Sequence, residues 1–134
     1  MKLCAGQCRY LITLYHLSSR SNIVRSVDIA RTLSVTRPSV SRMLKCMAEQ
    51  GIIEPDFSTG VKLTAEGRNH AEKLSERFND VYDFFMDILK LDRDEAYEQS
   101  IQFLASFPEH TVRRLSAVTR NTLDRRKKKS VVNG

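Results

Sequence analysis

The chain has 134 residues, of which 41% are hydrophobic, enough for a folded core and too many for a disordered chain. No apolar run approaches the roughly 18 residues of a membrane span, and the first segment lacks the cleavage site of a secretion signal, so we expect a cytoplasmic protein. The formal net charge of +6 favours a polyanionic partner without identifying it.

Two helices are predicted in the first third of the chain. Residues 3–18 form the first, with one face made by Cys4, Cys8, Leu11 and Tyr15. The polar, serine-rich segment 18–26 is a loop. The second helix, VDIARTL, has Asp28 in its first turn, and its apolar side consists of Val27, Ala30 and Leu33.

The third predicted helix lies in the stretch TRPSVSRMLKCMAEQGII. Thr36 is the expected N-cap, Pro38 is tolerated in a first turn, and Gly51 ends the helix. The apolar face consists of Val40, Leu44 and Met47, and we expect Cys46 to be a core residue as well. Two short apolar runs, 52–53 and 61–63, then flank a turn and predict a small two-stranded hairpin.

The rest of the chain reads as helices. Thr64 caps a long helix over residues 65–89, whose apolar seam contains Ala71, Leu74, Phe78, Val81, Phe85 and Ile88. Asp92 and Glu95 start another helix, with Tyr97, Ile101 and Leu104 inward. A final helix is expected over 109–123. The basic run Arg125–Lys129 is more often a solvated, frayed end than a specific site.

Three helices followed by a small hairpin are the arrangement of a winged helix-turn-helix. The fold class is therefore mainly α: a DNA-binding domain with a two-stranded wing over residues 1–64, a helical dimerisation domain over 65–124, and a flexible basic tail over 125–134.

In a helix-turn-helix, the second helix of the motif lies in the major groove and its first residues meet base edges. Arg37 comes early enough to reach a guanine, and Pro38 can meet a thymine methyl. Cationic and hydroxyl side chains suit phosphates or bases. The predicted DNA-binding residues are Thr36, Arg37, Pro38, Ser39, Ser41, Arg42 and Lys45, with Arg25 and Arg31 before them and Ser58, Thr59 and Lys62 in the hairpin. The alternative is that these residues form an ordinary solvated basic face with no DNA-binding role. The short helix before the third helix and the predicted hairpin after it favour DNA binding over this alternative.

The segment VDIARTLSVTRPSVSRMLKCMAEQGIIE, followed by GVKLTAEG, resembles the DNA-binding domain of the iron- and manganese-dependent repressors, the diphtheria toxin repressor and manganese transport regulator family. The matching features are DIA, PSVS, GII and L-T-x-x-G, with RYLITLY before them and FFMDILKLDRDEAYEQS after them. The resemblance runs from about Arg9 to Leu115 and fits the shorter manganese-regulator type.

The resemblance implies a homodimer that binds a palindromic operator of double-stranded DNA. The dimerisation residues are expected to be Leu74, Phe78, Val81, Phe85, Ile88, Ile101 and Leu104. Closure of this apolar seam within one chain is the alternative.

The resemblance also implies a divalent-metal switch, but the corresponding positions here are Arg9, Ile12, Phe78, Tyr82, Tyr97, Ile101, Leu104 and Ala105. Transition metals prefer imidazole, carboxylate or thiolate ligands, which this set lacks. We therefore predict no metal cofactor and a cavity filled by packing. A site rebuilt on Cys4 and Cys8, with His70 or His110, is the less favoured alternative.

Three other functions are weighed against a metal-free repressor. No phosphate-cradling glycine loop or nucleophile motif is present, so we do not expect an enzyme. A regulator that senses a small organic molecule or an oxidant through the dimer helices or Cys4 and Cys8 remains open, and so does a winged helix used only for protein contact. Salt-dependent binding would argue against the last.

Overall fold

The computed structural model describes residues 3–133. Its elements are α1 (Ala5–Arg20), α2 (Ser26–Leu33), α3 (Arg37–Glu49), α4 (Ala65–Asp83), a π-helical segment (Phe84–Ile88) that continues α4, α5 (Arg93–Ser106) and α6 (Glu109–Asn133). The described residues form two compact units: an N-terminal unit of residues 6–75, and a C-terminal unit of residues 3–5 and 76–133. The division lies inside α4, whereas the sequence suggests one at residue 64.

The core of the N-terminal unit is built from α1, α2, α3 and the segment after α3. Val40, Leu44 and Met47 are fully buried, which confirms the predicted apolar face of α3. The prediction for α2 was wrong at Val27, which is 37% exposed. The buried residues of that helix are Ile29, which was not predicted, and Ala30, which was.

Side-chain caps and one left-handed residue set the ends of α2 and the start of α3. The Asp28 carboxylate accepts a hydrogen bond of 2.9 Å from the Arg25 N–H. Ser34, at φ +56°, ends α2 by donating its N–H to the carbonyls of Ala30 and Arg31. Thr36 is confirmed as the N-cap of α3, since its hydroxyl oxygen accepts from the Ser39 N–H at 3.3 Å.

The threonine and the glycine of the L-T-x-x-G motif, Thr64 and Gly67, both make close contacts at the start of α4. The Thr64 hydroxyl donates to the Gly51 carbonyl at 2.6 Å and accepts from the Gly67 N–H at 2.9 Å. A Cβ atom at Gly67 would lie 1.9 Å from the Ile52 carbonyl oxygen, so only glycine permits this close approach. These contacts keep the first turns of α4 with the N-terminal unit.

The predicted two-stranded wing is not shown among the described residues, because the two runs pair at one position only. Between α3 and α4 the structure has one isolated antiparallel bridge, Ile53 to Leu63, beside a hydrogen bond of 2.9 Å from the Glu54 N–H to the Lys62 carbonyl. On the outer edge of this pairing, the Val61 N–H donates at 2.7 Å to the Val24 carbonyl of the loop before α2. The segment 52–63 is therefore a loop tied back to the N-terminal unit.

The C-terminal unit encloses its own core. Val81, Ala96 and Ile101 are fully buried, and Phe78 is 5% exposed. Three of the seven residues assigned to the dimer seam, Phe78, Val81 and Ile101, are thus covered by their own chain. The side chains of the other four remain partly accessible: Leu74, Phe85, Ile88 and Leu104.

The last helix is longer than predicted. The sequence suggests an end at residue 123 and a flexible tail, but α6 continues to Asn133. No glycine or proline interrupts residues 109–133, so nothing in the sequence stops the helix. Hydrogen bonds also fix α6: Ser116 donates to Asp80 at 2.6 Å, Arg120 pairs with Asp80, and Arg126 donates to the Asp87 carbonyl at 3.2 Å. Among the described helices, none is long and apolar enough to cross a membrane.

Candidate nucleic-acid interface

The solvent-facing side of α3 carries the predicted DNA contacts. Arg37, Pro38, Ser41, Arg42 and Lys45 are all exposed, opposite the buried stripe of the same helix. The side chains of Arg37, Ser41 and Lys45 make no hydrogen bond or ion pair to any described residue, so they are available to an outside partner. The N-terminal end of the helix adds the positive end of its dipole to these charges.

Thr36, Ser39 and Arg42 form a hydrogen-bonded row along the start of α3. The Thr36 hydroxyl donates to Ser39 Oγ at 2.9 Å, and Arg42 Nη2 donates to the same oxygen at 3.3 Å. Arg42 also lies close enough to Tyr10 to oppose the rise in the pKa of its phenol that burial causes. Thr36 and Ser39 therefore position the start of the helix and the Arg42 side chain.

Arg25, which immediately precedes α2, and Arg31, which lies within α2, are both exposed to solvent.

Arg31 also lines a shallow pocket of about 260 Å³, which was not predicted from the sequence. The pocket lies between the end of α1 and α2 and is lined in part by Leu17, Arg20, Ile23, Asp28, Arg31 and Thr32. The small-molecule alternative predicts a pocket among the helices after the wing, and this one lies in the N-terminal unit.

The loop 52–63 presents Ser58, Thr59 and Lys62 to solvent. Ser58 is already engaged, because its N–H and hydroxyl both donate to the Asp56 carboxylate, at 3.1 and 2.7 Å. These hydrogen bonds lower the pKa of Asp56, so a fixed negative charge stands beside the predicted phosphate contacts. The D-x-S spacing is the signal that would have revealed this turn. Thr59 and Lys62 are the better candidates for a phosphate contact.

The residues at the family's metal positions do not fit a transition metal. In the C-terminal unit, the Phe78 ring stacks on Tyr82 at 5.7 Å and meets Tyr97 edge to face at 5.3 Å between centroids. Ile101 is fully buried, and in the N-terminal unit Ile12 is 1% exposed. Across residues 3–133, no group of three or more His, Cys, Asp or Glu side chains is placed to hold a metal ion. Packed aromatic and aliphatic groups occupy these positions instead.

The three cysteines differ in environment. Cys4 is exposed and Cys8 is buried. Cys46, expected in the core, is exposed because it lies on the side of α3 away from Val40 and Leu44. Its sulfur is 3.8 Å from Gln7 Nε2, which donates at 2.8 Å to the side-chain oxygen of Gln50.

Comparison with known proteins finds a family model that matches the first three helices of the chain. The family model of the iron dependent repressor, N-terminal DNA binding domain, matches residues 3–60, which contain α1, α2 and α3. This segment, somewhat less than half of the chain, is similar to the DNA-binding domain of that repressor family. Members of the family are metal-dependent DNA-binding transcriptional repressors. The match agrees with the predicted DNA-binding role of the segment that contains α1, α2 and α3.

Individual relatives differ in sequence identity and in the share of the chain over which they match. The transcriptional regulator MntR of Escherichia coli O6:H1 is 44% identical over 62 residues, 46% of this chain and 40% of that protein. An uncharacterized HTH-type transcriptional regulator of Methanocaldococcus jannaschii is 22% identical over 107 residues, 79% of this chain and 86% of that one. The structure of the manganese regulator SloR superposes with a TM-score of 0.68 and 25% identity, covering 90% of this chain and 55% of that chain. The matched segments thus span about half or less of MntR and SloR.

Proposed function

We propose that the chain is a sequence-specific transcriptional repressor that binds a palindromic operator as a homodimer and needs no metal to do so. The observation that carries the proposal is α3, a capped helix with a fully buried stripe on one side and exposed Arg37, Ser41 and Lys45 on the other. A helix of this kind fits the major groove, where a bidentate arginine–guanine contact discriminates by about 1–3 kcal/mol.

The homodimer is supported by an aromatic row in the C-terminal unit that is exposed at one end. Phe85 meets Phe103 at 6.4 Å, and Phe103 stacks on Phe107 at 4.3 Å between ring centroids. Phe107 is 46% exposed, so the row reaches the surface at the end of α5. An exposed aromatic group of this size favours contact with a second copy, and a two-fold dimer sets two recognition helices one DNA turn apart.

Independence from metal is supported by the Phe78 cluster. A family member switched by metal uses ligands that change protonation and pull helices together when the ion binds. Here the equivalent positions in the C-terminal unit are joined permanently by ring contacts between Phe78, Tyr82 and Tyr97. Burial of such side chains contributes about 1.5–3 kcal/mol each without an ion. The DNA-binding shape is then the resting state of the protein.

The test is binding of the full chain to promoter DNA of its own gene, measured by fluorescence anisotropy against a scrambled duplex of equal length. The proposal predicts tighter binding to the promoter duplex and loss of that preference in Arg37→Ala. Arg68→Ala, which removes an exposed cation of α4 outside the predicted surface, is the matched control. Equal affinity for both duplexes in the wild type would overturn sequence-specific binding.

A further inference from the structure

The net charge of the protein is concentrated in a single helix. Residues 109–133, which form α6, contain eight Lys or Arg and two acidic residues. The rest of the chain then has fourteen basic and fourteen acidic residues, because the whole sequence has 22 and 16. The formal charge of +6 is therefore a property of α6, while the remaining chain is neutral.

Within α6, the charge is densest at Arg125–Lys129, which we name the basic arm. Each helical residue turns about 100° from the one before it, so five consecutive cations surround the helix on all sides. All five are exposed. In the part of the chain that the structure describes, no carboxylate pairs with any of them, and the one contact recorded is the hydrogen bond of 3.2 Å from Arg126 to the Asp87 carbonyl.

This arrangement leaves repulsion that a partner can relieve. Like charges three or four residues apart on a helix destabilise it, and the favourable helix dipole at a C-terminus offsets part of that effect. Contacts of Arg120 and Arg126 hold this helix to the rest of the C-terminal unit, so the lysines are presented from a fixed backbone. Lysine ammonium groups are compact point charges that suit phosphates without reading sequence.

The chemistry of the surrounding residues favours nucleic acid over a lipid surface. A membrane-binding helix needs an apolar face beside its cations. The arm itself contains no apolar residue, and the nearest ones, Leu123 before it and Val131 and Val132 after it, are too few for a continuous apolar face beside the cations. A duplex, by contrast, asks only for a row of cations along its phosphates.

We propose that the basic arm binds the phosphate backbone of the DNA duplex and adds sequence-independent affinity to the contacts of α3. This inference rests on the proposed function, since it needs the protein to be on DNA. It assigns Arg125 and Arg126 and the lysines Lys127, Lys128 and Lys129 to the nucleic-acid interface.

The experiment compares two variants of the full chain that lose the same charge. The arm variant carries Lys127→Gln, Lys128→Gln and Lys129→Gln, and the control variant carries Lys73→Gln, Lys90→Gln and Arg93→Gln, three exposed cations elsewhere. Circular dichroism checks that both fold. Affinity for the promoter duplex and for the scrambled duplex is then measured between about 50 and about 200 mM KCl.

The proposal predicts that the slope of log affinity against log salt falls by about 0.9 for each phosphate contact removed, hence by up to about 2.7 per chain in the arm variant. Both duplexes should lose affinity equally, so the ratio between them stays unchanged. The control variant should keep nearly the wild-type slope.

An unchanged slope in the arm variant, with normal promoter binding by the wild type, would overturn the inference and leave the proposed function intact. Equal loss of slope in both variants would also overturn it, because the effect would then be one of net charge alone. Capture of the wild type by phosphatidylserine vesicles, together with an unchanged DNA slope, would assign the arm to a membrane instead. Absence of any promoter preference in the wild type would instead be a failure of the proposed function.

Discussion

The rings of Phe78 and Tyr97 meet edge to face, with centroids 5.3 Å apart and an interplanar angle of 67°. This contact joins α4 to α5 inside the C-terminal unit at two of the positions where the family resemblance implies metal ligands. Aromatic pairs of this geometry are worth about 0.5–1.5 kcal/mol beyond their burial. The two helices are thus held by packing, which does not respond to metal supply.

Removal of the Phe78 ring should destabilise the folded chain. Phe78→Ala is expected to lower the free energy of unfolding by about 3–5 kcal/mol, because the ring is 5% exposed and touches two other aromatic rings. Urea denaturation followed by circular dichroism measures this. Tyr82→Phe keeps the stacked ring and should change stability little. A loss below about 1 kcal/mol in Phe78→Ala would contradict the packing role.

Replacement of Arg37 should weaken specific DNA binding without changing the fold. Arg37→Ala removes an exposed side chain and is expected to cost about 1–3 kcal/mol of binding to the promoter duplex, roughly 5- to 150-fold in affinity. Thr36→Ala, by contrast, removes the N-cap of α3 and should cost about 0.5–2 kcal/mol of stability. Anisotropy titrations and thermal melts separate the two effects. An Arg37→Ala protein with wild-type promoter affinity would exclude Arg37 from base recognition.

The close approach at Gly67 should not tolerate a side chain. Gly67→Ala would place a Cβ atom 1.9 Å from the Ile52 carbonyl oxygen, so the backbone must shift, at an expected cost of about 1–3 kcal/mol. Gly60→Ala is the matched control, since its Cβ would meet Ile23 Cγ2 at 3.4 Å, an ordinary contact. Melting temperatures of the two variants give the comparison, and equal values would show that α4 can move away from residue 52.

The two carboxylates opposite Arg120 should behave differently. Asp80 accepts from both Ser116 and Arg120, so Asp80→Asn is expected to cost about 1–2 kcal/mol, between the values for exposed ion pairs and for hydrogen bonds to charged groups. Burial raises the pKa of Asp83 above its ordinary 3.8, and Arg120 offsets only part of that rise. The folded state therefore favours the protonated carboxyl of Asp83.

A raised carboxyl pKa means that Asp83 contributes stability below pH 3.8 and loses it as pH rises through its folded pKa. Asp83→Asn should accordingly be neutral or slightly stabilising at pH 7, and the difference from the wild type should vanish below the ordinary pKa. Denaturation at a series of pH values measures both variants. If Asp83→Asn destabilised the protein more than Asp80→Asn at pH 7, Asp83 and not Asp80 would be the stabilising partner of Arg120, which would contradict this prediction.

The aromatic row should mediate self-association. Phe107→Glu is expected to shift the protein from dimer to monomer in analytical ultracentrifugation, because a carboxylate cannot be buried against an apolar partner surface. Val35→Glu changes another exposed apolar residue, in the N-terminal unit, and should leave the dimer unchanged. A dimer that survives Phe107→Glu would place the interface elsewhere.

Much of the fold could be predicted from local sequence patterns, and the features that were not predicted depend on tertiary contacts. Thr36, Thr64 and Asp92 are caps in the structure as their sequence contexts predict, because a cap depends on residues within one turn. The hydrogen bond from the Val61 N–H to the Val24 carbonyl was not predicted, because strand propensity does not reveal a partner so far away in the chain. Burial of Phe78 and Val81 within one chain depends likewise on how α5 packs.

In the candidate site, too, some features could be predicted from the sequence and others depend on tertiary contacts. The exposed and buried sides of α3 follow from its helical period, so Arg37, Ser41 and Lys45 could be selected from spacing alone. The engagement of Ser58 by Asp56 and the pairing of Arg120 with Asp80 depend on side-chain positions that no period encodes. The length of α6 was readable, since residues 109–133 lack glycine and proline.

The most direct test of the account is promoter binding by fluorescence anisotropy, first with a chelator and then with manganese, iron(II) or zinc added. We predict the same affinity under all four conditions, because the Phe78 cluster and not an ion holds the C-terminal unit. Binding that appears only with metal would contradict this account, and Cys4 and Cys8 would then be the first residues to replace in search of a rebuilt site.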